Sequence, residues 1–460
     1  MSKIFYISIP IVIFVTALLI FGPSLLKSFD NDLKQQIKKY ILPYRYIKEV
    51  ETSNRLQFLG DELTLKEANE DLIFQNNFRI KLFNSYTELY KMTNLRQLTN
   101  GIDNLFPGSG FIDIDDKNLY LLSSAGIFAS ASLNKFYEIN EVSFRQISTN
   151  LNNFINYDQY IKNRWFSFKD LLISEGKVFV SYTKEVNKDC WNTSFLFAEL
   201  NKSNLIFKNL FSPEECVNSE GSDSLFGDFN AKQSGGRMVR YDEDHILVTT
   251  GEFRARDKAQ SDSSVMGKIL KINLKNGKNE IISMGHRNPQ GLLFNVKENF
   301  ILSTEHGPQG GDEINFINLD EKVPLNFGWP ISSYGQHYLG PSNWVDQAKE
   351  NPFDEKLVEK KYELYPLHKS HSDYGFVEPL KYFERSPGLS ELVNFKDNKY
   401  IASSLKFKSI YTFILNKNQR IENLQEIYIG ERIRDMINDV KNERLLVFLE
   451  DTSSIGIIAY

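Results

Sequence analysis

From about residue 52 onward, apolar residues come in short runs separated by polar turns, with little sustained helical period. One unit recurs: an apolar strand, a turn rich in Asp, Lys, Asn and Glu, and a second apolar strand. The copies are "GFIDIDDKNLYLLSS" (110–124), "FSFKDLLISEGKVFVSYT" (166–183) and "GRMVRYDEDHILVTTGE" (236–252). They continue as "QGLLFNVKENFILSTEHG" (290–307), "LSELVNFKDNKYIASSLK" (389–406) and "RDMINDVKNERLLVFLED" (434–451). A lone hairpin cannot bury both its faces, so repeated hairpins must pack on one another. An all-β, six-bladed β-propeller over residues 52–460 does this and leaves few exposed edges. A β-sandwich is the alternative arrangement.

The first fifty residues follow a different pattern. Residues 4–26 read "IFYISIPIVIFVTALLIFGPSLL", without a charge and preceded by Lys3. At ~1.5 Å per residue a helix of this length crosses a ~30 Å hydrocarbon core. The leading lysine keeps the short N-terminal end in the cytoplasm and places the body across the membrane, in a periplasmic or extracellular space. A cleaved signal peptide is the competing reading, but no small-x-small cleavage site follows the run. Residues 27–51 form a charged helical stalk interrupted near Pro43.

Composition narrows the function. The 460 residues are 41% hydrophobic and 25% charged, which is a globular balance. A net charge of −5 argues against a general nucleic-acid binder, which needs a basic face, while leaving room for a local basic cluster. The two cysteines, Cys190 and Cys216, lie in polar, turn-rich stretches. In an oxidising compartment they can clip an excursion between strands; as free thiols they would be unrelated.

The candidate chemistry lies at the hairpin ends. Residues just before the first strand of a hairpin and just after its second share one end. There the chain reads "KQSGGR" and "GEFRARD", then "GHRNPQ" and "STEHGPQGGDE", then "SSLK" and "GERIRD". Arg287, Lys406, Arg432 and Arg434 thereby gather positive charge suited to carboxylates or phosphates. Their internal alternative is pairing with Glu305, Asp312, Glu313 or Asp435. The glycine-rich "EHGPQGGDE" can turn backbone carbonyls toward a hard cation such as Ca²⁺. His286 and His306 lack metal-ligand spacing and fit structural hydrogen bonding.

"GHRNPQGLLF", "EHGPQGGDEIN" and "NFGWP", with "SGGRM…VTTGE…RARDKAQ…GKILKI" upstream, resemble the soluble glucose/sorbosone dehydrogenase family, especially its aldose sugar dehydrogenases. The resemblance covers roughly residues 100–460 and fades before about 230. It implies a six-bladed propeller using pyrroloquinoline quinone (PQQ) and Ca²⁺ to oxidise the C1 hydroxyl of an aldose, with an external electron acceptor. It implies that Arg287, Asn288, Lys406, Arg432 and Arg434 hold the quinone and its three carboxylates. The carbonyls of Gly307 and Pro308 would bind Ca²⁺. The family's general-base histidine falls at Gln233 here, and an amide takes no proton near neutral pH. Glu252 matches a nearby family carboxylate and is the candidate substitute base. The same departure supports a second expectation, a propeller that binds quinone or sugar without turnover.

Overall fold

The computed structural model describes residues 74–83, 85–92, 109–138, 144–201, 203–220, 229–321, 324–337 and 363–460. The expected anchor (4–26) and stalk (27–51) lie outside the described residues. Among the described residues no helix is long and apolar enough to cross a membrane.

Six sheets, antiparallel except for one short parallel edge pair in the third, form the blades of a propeller, and each of the six sequence hairpins supplies the two inner strands of one blade. The innermost strands are Gly110–Ile114, Phe168–Ser174, Gly235–Arg240, Pro289–Asn295, Leu389–Lys396 and Ile433–Asp439. They touch one another in that order, and the last touches the first, closing a ring. Residues 74–92 complete the ring. The hairpin Phe74–Leu82 and Ser85–Met92 adds to the C-terminal strand Ser454–Ala459, with Leu89 opposite Ile458. The sixth blade is therefore built from both ends of the described chain.

Local sequence explains the hairpins. Turn residues Glu175, Asn299, Asp397 and Glu443 adopt φ of 49°, 52°, 52° and 52°. Asn and Asp tolerate this left-handed region better than most residues. Along the strands both faces are apolar, because each blade is covered by a neighbour on either side. The core is accordingly divided among the blade interfaces. Ile112 and Leu121 meet Leu446 and Phe448 between the first and last blades. Phe179 and Phe195 meet Met238 and Val248 between the second and third, and Leu302 and Phe316 meet Tyr400 and Phe413 between the fourth and fifth.

Five of the six inner strands carry a register shift near their first residues, at Phe168/Asp170, Gly235/Met238, Pro289/Gly291, Leu389/Leu392 and Ile433/Asp435. A bulge re-aims side chains at the end of a strand. Here the shifts lie at the end where the unusual residues collect. They also bring Asp170, Arg237, Glu391 and Asp435 together on the axis. The Arg237 guanidinium lies 2.7 Å from Asp170, 2.6 Å from Glu391 and 2.7 Å from Asp435. These carboxylates also staple blades together: Asp170 accepts from Met238 N and Asp435 from Ile112 N, each at 2.7 Å.

Cys190 and Cys216, separated by 26 in sequence number, form a disulfide. It ties the strand Cys190–Glu199 of the second blade to the excursion leading into the third.

Candidate functional site

The registers set the end-to-end geometry. Gly235 pairs with Thr250, Pro289 with Glu305, Leu389 with Ser404 and Ile433 with Leu449. Gln233, Glu252, Arg287, Asn288, Gly307, Pro308, Lys406 and Arg432 all lie just beyond these pairs, at the same end of the ring, and Arg434 lies just inside the last.

Two hydrogen-bonded arms organise them. In the first, the Gln233 amide donates to Glu252 Oε1 and accepts from Arg287 Nη2 at 2.8 Å. Arg287 Nη1 donates onward to Gly307 O at 2.7 Å and His306 O at 3.0 Å. Its guanidinium also lies over the Trp329 indole, 5.4 Å from the ring centre. The turn "NFGWP" brings that indole into place, since Trp329 N donates to Gly285 O. Behind Arg287, His286 bridges Ser283 and Glu305 at 2.8 Å each, and Glu305 accepts from Arg287 N. All three are buried and fix the backbone from which Arg287 projects.

In the second arm Glu450 joins two arginines. Arg432 Nε lies 2.8 Å from its Oε2 and Arg434 Nη2 3.0 Å from its Oε1. Burial alone would raise the Glu450 carboxyl, but Arg434 and Arg432 outweigh it and hold it at about 2. Arg434 Nη1 reaches Gln290 Oε1, whose amide donates to Asn288 Oδ1 at 3.0 Å. Asn288 Oδ1 also accepts from Gly235 N, so the two arms meet at the third blade. Lys406 is exposed beside the Pro387–Gly388 turn and donates its backbone N–H to Pro387 O.

The internal partners of the cations differ from those expected. Glu305 serves His286, Glu313 lies 3.5 Å from His371, and Asp435 binds Arg237. Asp312 caps Gly388 N and Leu389 N. Glu450 is the carboxylate that the sequence reading missed. It directly follows the second strand of the last hairpin, Arg444–Leu449, in "FLED", and so stands at the same end.

Glu252 sits differently from the role expected of it. Its side chain is fully buried behind Gln233, which is itself 4% exposed. A carboxylate so enclosed can support Gln233 but is closed off from solvent.

Two further observations bear on bound groups. Arg287, Lys406, Arg432 and Arg434 stand at the same end of the ring, and Glu450 pairs with Arg432 and Arg434. The 307–311 loop is folded tightly by Gly310 and Gly311 at φ of 83° and 69°, and a side chain at Gly307 would collide with the Gly310 and Gly311 carbonyls. It is a carbonyl-rich loop, and among the described residues no cluster of His, Cys, Asp or Glu could hold a metal.

Comparison with known proteins fits this architecture. The family model described as glucose/sorbosone dehydrogenase matches residues 173–458. The aldose sugar dehydrogenase YliI of Escherichia coli is 27% identical over 223 residues, 44% of this chain and 53% of that protein. The chain spans about half the length of the first curated relatives it matches. Among solved structures, the apo form of the Escherichia coli soluble aldose sugar dehydrogenase superposes with TM-score 0.56 at 20% identity, covering 77% of this chain and 96% of that one. The PQQ-bound aldose sugar dehydrogenase of Streptomyces coelicolor gives 0.51 at 15% identity, covering 77% and 93%. At these identities the likeness is one of fold.

Proposed function

Because the chain belongs to the glucose/sorbosone dehydrogenase family, we propose that it is a PQQ-dependent dehydrogenase of an aldose or related small sugar. In this reading residues 4–26 tether it to a membrane, with the propeller outside the cytoplasm, and an external acceptor takes the electrons. The observation that carries the proposal is the convergence of Arg287, Asn288, Lys406, Arg432 and Arg434 at one end of the ring.

The donor set fits the group. PQQ carries three carboxylates, and planar guanidinium forks bind carboxylates through paired, charge-assisted hydrogen bonds. Arg432 and Lys406 present the more exposed charges, while Arg434 and Arg287 are fixed from behind by Glu450 and Gln233. Ca²⁺ would be held by the carbonyls of Gly307 and Pro308, of which Gly307 O already accepts from Arg287. Bound PQQ would supply the two-electron acceptor for oxidation at the sugar C1. The protein's own contribution is to orient that group, exclude water beneath it through the packed axis, and take the hydroxyl proton.

A second reading is favoured by Gln233. With an amide where the family has histidine, the pocket would bind quinone or sugar without turnover. Dye-linked oxidation of a panel of aldoses, with PQQ and Ca²⁺ added, separates the two. Sugar-dependent dye reduction supports the dehydrogenase; PQQ binding with no reduction by any aldose supports the binding module. Failure to bind PQQ removes the dehydrogenase, and failure to bind either PQQ or a sugar removes both.

A further inference from the structure

The family histidine is absent and Glu252 is enclosed, so a dehydrogenase built on this chain needs a proton acceptor that faces the mouth. We propose that Lys169 is that acceptor. The inference rests on the sugar-dehydrogenase reading above and names a residue that the motif comparison leaves unassigned.

Lys169 is the second residue of the innermost strand of the second blade, at the end where the site lies. Its stem lies against the "GGR" turn of the third blade. Gly236 has φ of 114°, and a Cβ there would stand 2.6 Å from Lys169 Cβ. The glycine therefore makes room for the lysine, three residues along from Gln233. The amine donates to Trp165 O at 2.7 Å, in the segment just before this strand and at the same end of the ring. It lies 5.7 Å from the centre of the Trp165 ring, which Lys232 approaches at 5.6 Å. Unlike Glu252, Lys169 is partly exposed.

The charges facing this amine disfavour its ammonium form. Arg434 approaches from the sixth blade, and Lys232, from the loop before the third, stands over the same Trp165 ring. Gln233 is neutral. The neighbouring Asp170 points to the axis, where Arg237 and Met238 N occupy it. Among the described residues no carboxylate lies within ion-pair distance of Lys169. Burial and the Arg434 guanidinium push the amine down to about 7. A base near the working pH combines availability with driving force for proton transfer.

The step balances simply. The C1 hydroxyl O–H bond breaks and its proton passes to the neutral Lys169 amine, which becomes an ammonium. The C1–H bond breaks with its electron pair leaving as hydride, the C1–O bond becomes a carbonyl, and the quinone is the two-electron oxidant.

The test begins without cofactor. Competitive acetylation of the apo-protein across pH, read by peptide mass spectrometry, should give Lys169 a midpoint near 7, with exposed lysines near their ordinary ~10.4. With PQQ and Ca²⁺ loaded, the single-turnover rate of quinone reduction should rise with pH through that midpoint. Lys169→Arg and Lys169→Gln should lose ~10²–10⁴-fold in this rate and lose the pH dependence while still binding PQQ. Small alkylamines should restore part of the rate to Lys169→Gln. An ordinary midpoint for Lys169, or a wild-type rate in Lys169→Arg, overturns the inference and leaves the sugar-dehydrogenase reading standing. A wild type that binds PQQ but reduces it with no aldose also overturns it. Failure to bind PQQ overturns the functional reading and this inference with it.

Discussion

At the scale of single residues, the site is a set of cations whose reach is governed by their partners. Arg432 keeps a partly exposed guanidinium with only its Nε turned to Glu450. Arg432→Ala should therefore weaken PQQ binding by about 1.5–3 kcal/mol, the usual worth of a charge-assisted hydrogen bond. Titration of apo-protein with PQQ and Ca²⁺ measures this; an unchanged affinity would make the arginine purely structural. Gln233 is the complementary case. Its amide links Glu252 to Arg287, so it holds Arg287 in place whatever else it does. If Lys169 already removes the proton, Gln233→His should change the single-turnover rate by less than about tenfold. Restoring a wholly missing base would instead give ~10²–10⁴-fold. Glu252→Gln should then act through Arg287, raising the PQQ dissociation constant more than it slows the chemical step.

At the scale of elements, hairpins and their bulges do most of the positioning. A hairpin delivers its flanking residues to one end by construction, and the register shifts turn the first side chains of the inner strands toward the axis. The disulfide acts at the same scale. It closes a loop of about 25 residues between the outer part of the second blade and the entry to the third, which the chain-entropy model values at ~3 kcal/mol. Replacing both cysteines by alanine should lower stability by roughly that amount in urea unfolding. Non-reducing mass spectrometry of the native protein should recover the linked Cys190 and Cys216 peptides.

For the whole molecule, closure and the axis are decisive. Residues 74–92 pair with the C-terminal strand, so the two ends of the described chain hold the sixth blade together. On the axis, burial raises the Asp113 carboxyl to about 8 and the Asp170 carboxyl to about 7, the latter despite Arg237. Carboxyls raised on folding contribute stability that is fully present below their unfolded values near ~4. That contribution is lost as pH rises through 7 to 8. Arg237 opposes the loss by compensating Asp170, Glu391 and Asp435. Arg237→Met should thus cost about 3–5 kcal/mol near pH 8, as expected when a buried charge group loses its partner. The cost should be smaller near pH 5, where the carboxyls can protonate; urea unfolding at the two pH values tests the sign. Membrane attachment belongs to this scale as well. If residues 4–26 anchor the chain, the propeller should partition with membranes and be digested by protease added to spheroplasts. Protection of the propeller would refute the topology.

What the sequence by itself determined were the features with a local cause. Apolar strands joined by Asp, Asn, Lys and Glu turns specify hairpins, six such hairpins specify the blades, and each hairpin has one end. That was enough to collect Arg287, Asn288, Lys406, Arg432, Arg434 and the glycine loop. What only the tertiary structure decided were features that depend on contacts between blades. Glu450 became the partner of Arg432 and Arg434 because the strand ends of the sixth blade lie side by side. Arg237 met three carboxylates because bulges in separate blades turn inward together. Glu252 was enclosed behind Gln233, while Lys169 was left partly exposed beside the "GGR" turn of the next blade. A two-residue period records which residues share a face of one strand, but not where a bulge shifts that face or which neighbour closes over it. Those are set by packing across the ring, between residues as far apart in sequence as Ile112 and Asp435.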